Sequence, residues 1–363
     1  MYDGNEGNGP APLACLAERG LLVASHAVRA GWQHRALYRE LARSGWVRVV
    51  AGVWAEPGRR VDLLMRLRAE QALCARLVVS HLAAAVLWRI EMPGAVAAVP
   101  EFIDPERRKR SKRRDGLRVH RAVLGPRDVS RRHGLLVTSP DRTLADLLLS
   151  GMPRDAWLVA VESALTCRTV GRDRPVRRGA LTRLPAVEEA VRARPGARGE
   201  AVAWLGLVDP RSGSVAETLA RLAMVDAGLR PESQAEVDTG DGRRVFLDFL
   251  FREEGLAVEV EGYAYHGSRE QHRRDVERFN RIQGCPEVRA LLRFTAVEVF
   301  RRPARMVARV RAELARLGGD TRLPPRAGVD RGAPPSALAR GASVTVPGST
   351  RSSSPSRGTC PSR

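Results

Sequence analysis

Between Val245 and Asn280 the chain reads VFLDFLFREEGLAVEVEGYAYHGSREQHRRDVERFN, and its apolar runs are broken by three acids, Asp248, Glu259 and Glu261. Two apolar, β-branched runs about the polar turn Arg252–Gly255 predict a hairpin. Side chains on a strand alternate, so Glu259 and Glu261 share a face. The hairpin can bring Asp248 of the partner strand to the same end of the sheet. Three carboxylates that meet repel one another unless a cation lies between them. An all-oxygen ligand set suits a hard ion such as Mg²⁺, which keeps water and substrate phosphate in its remaining positions. The competing interpretation is a solvated strand face whose acids pair with nearby arginines. Against it, the acids end very apolar strands, Gly262 follows at once, and an imidazole, His266, comes soon after.

The elements that must hold these groups follow from the surrounding pattern. Ser214 can cap a helix from Val215 to Ala227, with Glu217 in its first turn, where the helix dipole favours an acid. Strands are predicted over Gln234–Val237, Arg243–Phe251 and Leu256–Glu261. A helix over Gln271–Gln283 carries Asp275 and Arg278 one turn apart. A strand over Val288–Phe294 and a helix over Ala304–Leu317 complete the unit. Mixed strands with flanking helices give an α/β sandwich.

This stretch resembles the PD-(D/E)xK nuclease superfamily in its DUF559 and very-short-patch-repair (Vsr-like) branch. The matching residues are Glu217, Asp248, Glu259, Glu261, Gly262, His266, Asp275 and Arg278, followed by the strand end at Arg293, Phe294 and Thr295. The resemblance covers about residues 212–317. It implies a restriction-endonuclease-like mixed sheet flanked by helices, and an Mg²⁺- or Mn²⁺-dependent DNA endonuclease. Asp248 and Glu259 would hold the ion, with the Val260 carbonyl as a further ligand. The ion would polarise a phosphodiester oxygen and acidify a bound water. Glu261 occupies the superfamily's lysine position, where this branch commonly has an acid, so the general base stays open. Glu261 would join the metal or orient the water, and His266 would serve as general acid or base. Arg278 would stabilise charge on the phosphate, and Thr295 would lie near the site.

The composition agrees with a polyanionic partner. The 363 residues carry a formal net charge of +20, mostly through arginine, and nucleic acid is the natural counterpart. Cysteines at 15, 74, 167, 285 and 360 are scattered without a CxxC spacing, which argues against a zinc site and for a reducing cytoplasm. No apolar run is long enough to span a membrane, and the start, MYDGNEGNGP, lacks the basic residues of a secretory signal.

Residues 13–60, after a flexible 1–12, predict a winged helix. Leu13–Arg19 reads as a helix closed by Gly20, Ser25–Ala30 as a second and His34–Ser44 as a third, with Leu37 and Leu41 on one face. Trp46–Trp54 reads as two short strands turning near Gly52. The stretches LAERGLLVASHAVRAG and RVVAGVWAEP, with the helix between them, resemble the N-terminal domain of AbiEi-family antitoxins of type IV toxin–antitoxin systems. That resemblance implies that Gln33, His34, Arg35, Tyr38 and Arg39 face DNA, with Arg48 near the wing, and that a toxin is a further partner.

An α+β middle region is expected over residues 61–165. Helices are predicted at Val61–Cys74, Ser80–Trp88 and Asp141–Leu149, and strands at Val96–Ile103 and Leu117–Ala122. The order SHLAAAVLW, LRVHR, VTSPDRTLADLLL resembles proteins that join an antitoxin-like region to a DUF559 domain. The basic block from Arg107 to Arg114 reads as a solvated loop suited to phosphate, and His81, His120 and His133 as structural or surface residues. Residues 166–211 read as a linker with a helix near Leu184–Arg192, and 318–363 as a disordered basic tail. Two function classes follow: a metal-dependent endonuclease, and a non-catalytic DNA-binding regulator or antitoxin. RNA binding is disfavoured by the scarcity of stacking aromatics.

Overall fold

The computed structural model describes residues 10–94, 98–106, 112–114, 116–171, 175–194, 199–239, 242–261 and 269–319. Gly262, His266, the side chain of Asp275, residues 107–111 of the basic block and residues 320–363 lie outside the described residues. The described part is mixed α/β.

The chain begins with a 3-10 turn at Leu13–Leu16, then β1 (Leu21–Val23), α1 (Ala24–Arg29), α2 (His34–Arg43), β2 (Val47–Val50) and β3 (Val53–Ala55). These strands form a sheet in the order β1-β3-β2, with antiparallel neighbours. The helix expected over Leu13–Arg19 is therefore a single turn followed by a strand. The reason is local: Arg19 and Gly20 both take positive φ, 53° and 80°, which reverses the chain and sends Leu21, Leu22 and Val23 into the sheet as three buried residues. Ser25 lies inside α1 rather than capping it, and Val23 holds the cap position without a side-chain hydrogen bond. Leu37 and Leu41 are fully buried on α2, packed with Leu22, Ala27 and Trp46.

The middle region runs α3 (Leu63–Leu73), β4 (Val78–Val79), α4 (His81–Trp88), β5 (Glu101–Ile103), β6 (Lys112–Arg114), β7 (Leu117–His120), β8 (Val129–Arg132), β9 (Leu135–Thr138), α5 (Pro140–Leu149) and α6 (Arg154–Leu165). Six strands form one sheet in the order β6-β7-β5-β4-β9-β8, parallel at β5–β7 and β4–β9 and antiparallel elsewhere. Ser139 caps α5 by accepting from the Arg142 N–H, with Pro140 at the first helical position. The stretch read as a linker holds β10 (Arg168–Val170), β11 (Val176–Arg178), α7 (Leu184–Arg192) and α8 (Glu200–Leu205). Val187, Ala190 and Val191 of α7 lie in the same core as Phe102, Val137, Leu144 and Trp157. An arginine-rich composition hid this, because only one face of α7 is apolar.

The C-terminal unit contains α9 (Val215–Asp226), β12 (Glu232–Asp238), β13 (Arg244–Phe251), β14 (Leu256–Glu261), α10 (Arg269–Gln283), β15 (Ala290–Thr295), α11 (Ala296–Arg301) and α12 (Pro303–Gly319). Its sheet runs β12-β13-β14-β15, with β14–β15 parallel and the other pairs antiparallel. Gly255 closes the β13–β14 turn with φ 68°, a conformation that suits a residue without a Cβ. Two cores cover the sheet. Ala220 and Met224 of α9 and Met306 and Val310 of α12 pack with Phe249, Val258 and Phe294, and Ile282 of α10 packs with Val237, Leu247 and Ala257.

Candidate functional site

The β13–β14 ladder pairs Phe251 with Leu256, Leu250 with Ala257 and Phe249 with Val258. Beyond Phe249 the two strands are joined through carboxylates. The Val260 N–H donates to Asp248 Oδ2 at 2.8 Å, and the Asp248 N–H donates to Glu259 Oε1 at 3.1 Å. Each acid thus satisfies a backbone donor of the opposing strand, which fixes both side chains where the hairpin opens. Glu259 is buried and Asp248 half-buried.

Glu217 arrives from the first turn of α9. Ser214 caps that helix by accepting from the Glu217 N–H, while Glu217 Oε2 accepts from the Gly213 N–H at 2.8 Å. Gln234 then links the acids: its Nε2 donates to Glu217 Oε2 at 2.9 Å and to Asp248 Oδ1 at 3.3 Å. From α10, Arg278 Nη2 donates to Glu259 Oε2 and to the Phe246 carbonyl, both at 2.8 Å. Burial, followed by the charges of Glu259 and Glu217, pushes Asp248 up to about 7, and the Val260 N–H and Arg278 oppose the rise.

Glu217, Asp248, Glu259 and Arg278 are therefore joined into one network. Glu261 is not part of it. It pairs instead with Arg293 on β15, and no described contact links it to Asp248 or Glu259. Thr295 takes part in the capping box that starts α11, accepting from the Glu298 N–H at 3.2 Å. Gln234 carried no sequence signal. Its role depends on a left-handed backbone, φ 49°, that a strand pattern does not announce.

The donor set at the hairpin is all oxygen, and three acids face one guanidinium. This fits a hard divalent cation held by Asp248 and Glu259, since Mg²⁺ is commonly bound through one or two carboxylates. Glu217 does not complete a tight trio. Among the described residues, the group of three donors whose ligand atoms lie within 4.8 Å of one another is His81, Glu101 and His120.

In the N-terminal unit, Gln33, His34, Arg35 and Arg39 are exposed on and just before α2, and Arg48 is exposed on β2. Tyr38 is less exposed than these neighbours. It is half-buried, stacked on His34 with ring centroids 4.7 Å apart and set edge-on to Trp54 at 5.8 Å. It packs on the core that holds Leu37 and Leu41. Among the described residues, no helix is long and apolar enough to cross a membrane.

No family model matches the chain. Two Mycobacterium tuberculosis proteins, the uncharacterized proteins MT2308 and Rv2248, are each 30% identical to it over 286 residues, which is 77% of this chain and 97% of each relative. The crystal structure of the RV2827C protein from Mycobacterium tuberculosis aligns with a TM-score of 0.38 and 17% identity, covering 62% of this chain and 86% of that one. By its identity and coverage, the chain belongs to the family of the uncharacterized protein Rv2248 of Mycobacterium tuberculosis.

Proposed function

We propose that this chain is a DNA-binding, metal-dependent endonuclease that hydrolyses phosphodiester bonds at the β13–β14 hairpin. The observation that carries this reading is the meeting of Asp248 and Glu259 where the strand ladder opens, with Glu217 bridged to them through Gln234. Asp248 and Glu259 would hold Mg²⁺ or Mn²⁺, with the Val260 carbonyl as a further ligand. The bound ion supplies Lewis acidity toward the phosphate and its water. Arg278 orients Glu259 and presents a fixed positive charge beside the carboxylates. Gln234 holds Asp248 against rotation. The net charge of +20 draws DNA toward the chain.

The test is incubation of the purified protein with supercoiled plasmid in Mg²⁺ or Mn²⁺, beside Asp248→Ala and a chelator control. Nicking by wild type alone supports the reading. Equal cutting by wild type and variant refutes it.

A second reading, a non-catalytic DNA-binding regulator or antitoxin, is favoured by the order of the N-terminal elements. One turn, strand, two helices and a two-stranded wing leave the polar face of α2 exposed. Tight, salt-sensitive DNA binding with no cleavage in either metal would select it.

A further inference from the structure

The middle sheet carries a separate cluster. Glu101 opens β5 and His120 closes β7, and the parallel register Glu101↔Arg118, Ile103↔His120 places them two positions apart on one face. Glu101 Oε1 lies 2.8 Å from His120 Nε2. His81 starts α4 directly after β4, and its ring stacks on His120 with centroids 4.0 Å apart and planes inclined by 25°. One ligand atom from each of His81, Glu101 and His120 lies within 4.8 Å of the others.

Further observations set this cluster apart from an ordinary buried pair. His81 has φ 51°, a left-handed backbone that a side chain with a Cβ adopts only where its surroundings hold it. Its Nδ1 is engaged with Ser80 Oγ at 2.9 Å, the kind of outer contact that orients a metal-bound imidazole and leaves Nε2 as the donor. Glu101 and His81 are buried, at 4% and 8% exposure, whereas the His120 side chain is a third exposed. Both histidines line a cavity of about 660 Å³. The same cavity is lined by Asp146, a buried side chain whose Oδ2 has no hydrogen-bond partner among the described residues.

We propose that His81, Glu101 and His120 form a binding site for a divalent transition ion of the zinc class, with a remaining coordination position open to this cavity. Two imidazoles and one carboxylate are a donor set suited to zinc rather than to Mg²⁺, which prefers oxygen throughout. Three protein ligands beside a cavity match the open form of such sites rather than the closed four-ligand form. The site is independent of the carboxylates on β13 and β14 and does not depend on the endonuclease reading.

The test uses the full chain without a histidine tag, stripped with chelator and titrated with Zn²⁺ by calorimetry and with Co²⁺ by visible absorption. Wild type and Asp248→Asn are expected to bind one Zn²⁺ per chain and to show cobalt ligand-field bands. Glu101→Gln, His120→Ala and His120→Gln are expected to lose both, with far-UV circular dichroism confirming that each remains folded. X-ray absorption of the wild-type zinc form, which needs no variant, is expected to show only nitrogen and oxygen ligands with imidazole scattering. Failure of wild type to take up zinc would overturn the proposal, as would undiminished binding by a folded His120 variant. So would a sulfur ligand, since it would place the ion at a cysteine.

Discussion

Asp248→Asn in the metal-free chain tests whether burial and the neighbouring acids hold the Asp248 carboxyl protonated. The folded Asp248 sits at about 7 against an ordinary 3.8. Between those values the folded chain retains a proton that the unfolded chain has lost. Stability from this group is therefore complete below about pH 4 and falls as pH rises toward about 7, after which it is level. A gap of about three units at about 1.4 kcal/mol each sets a ceiling of about 4 kcal/mol. Asparagine holds the position neutral at every pH. Its carbonyl can still accept from the Val260 N–H, but its amide faces Gln234 Nε2, which also donates, a mismatch worth about 1 kcal/mol. The variant is thus expected to be more stable than wild type by about 2–3 kcal/mol at about pH 8, and to lose that advantage by about pH 5. Urea unfolding in chelator, followed by far-UV circular dichroism across this range, reads the difference. Saturating Mg²⁺ at about 100 times its dissociation constant should then stabilise wild type alone, by about 2.7 kcal/mol. Parallel pH profiles for wild type and variant would refute the reasoning, because the folded chain would then hold no proton at Asp248 that the unfolded chain lacks.

Three further outcomes are expected. Glu162→Ala strands the buried Arg221 guanidinium and removes acceptors of Thr218 and of the Asp209 N–H, so unfolding free energy should drop by about 3–5 kcal/mol in denaturant titrations. Arg35→Ala and Arg39→Ala should each lower the salt slope of DNA binding by about 1, measured by fluorescence anisotropy at several salt concentrations, with stability changed by less than about 0.5 kcal/mol. Gly255→Ala puts a Cβ 2.9 Å from the Glu287 carbonyl at φ 68°, and should cost about 1–3 kcal/mol, read from the shift in urea midpoint. An unchanged midpoint would mean that the turn relaxes.

How much of this was legible depended on the range of the interactions. The β13–β14 hairpin announces itself through apolar runs about a polar turn, and β14 has the expected limits, Leu256–Glu261. The partnership of Asp248 with Glu259 was legible for the same reason, since a hairpin is local. Glu261 was placed with them because alternation puts it on the same face as Glu259. Alternation says nothing about Arg293 on a parallel neighbour that comes much later in the chain, and that arginine takes Glu261. Strand β4 is only Val78–Val79, too short for any period to register, yet it lies near the centre of the six-stranded sheet. His81 and His120 looked unremarkable because their meeting requires β4, β5 and β7 to be assembled first. Tyr38 shows a similar limit: the resemblance placed it with the DNA-facing residues of α2, and its edge contact with Trp54 on β3 is visible only once the sheet is assembled.

Contacts that cross from the middle region to the C-terminal unit fall on Asp209 and Ser212, just before Glu217, and along α9 at Thr218, Arg221 and Asp226. Arg168 on β10 donates to the Ser212 carbonyl at 3.0 Å, and Glu162 on α6 accepts from the Asp209 N–H at 2.9 Å and from Thr218 on α9 at 2.6 Å. Leu222, on the same helix, lies in the middle core rather than in the core of its own sheet. Ser212 and Gly213 are thus held from one side by the middle region and from the other by Glu217 itself, through the Gly213 N–H. Buried charges such as Glu162 are costly to desolvate and are kept only with partners in good geometry. Here the partners belong to the loop between α8 and α9 and to α9 itself, the helix whose first turn carries Glu217 to Gln234. The orientation of one member of the carboxylate network is therefore set by residues well outside the hairpin. A boundary drawn at residue 212 on sequence grounds cuts through the packing that positions it.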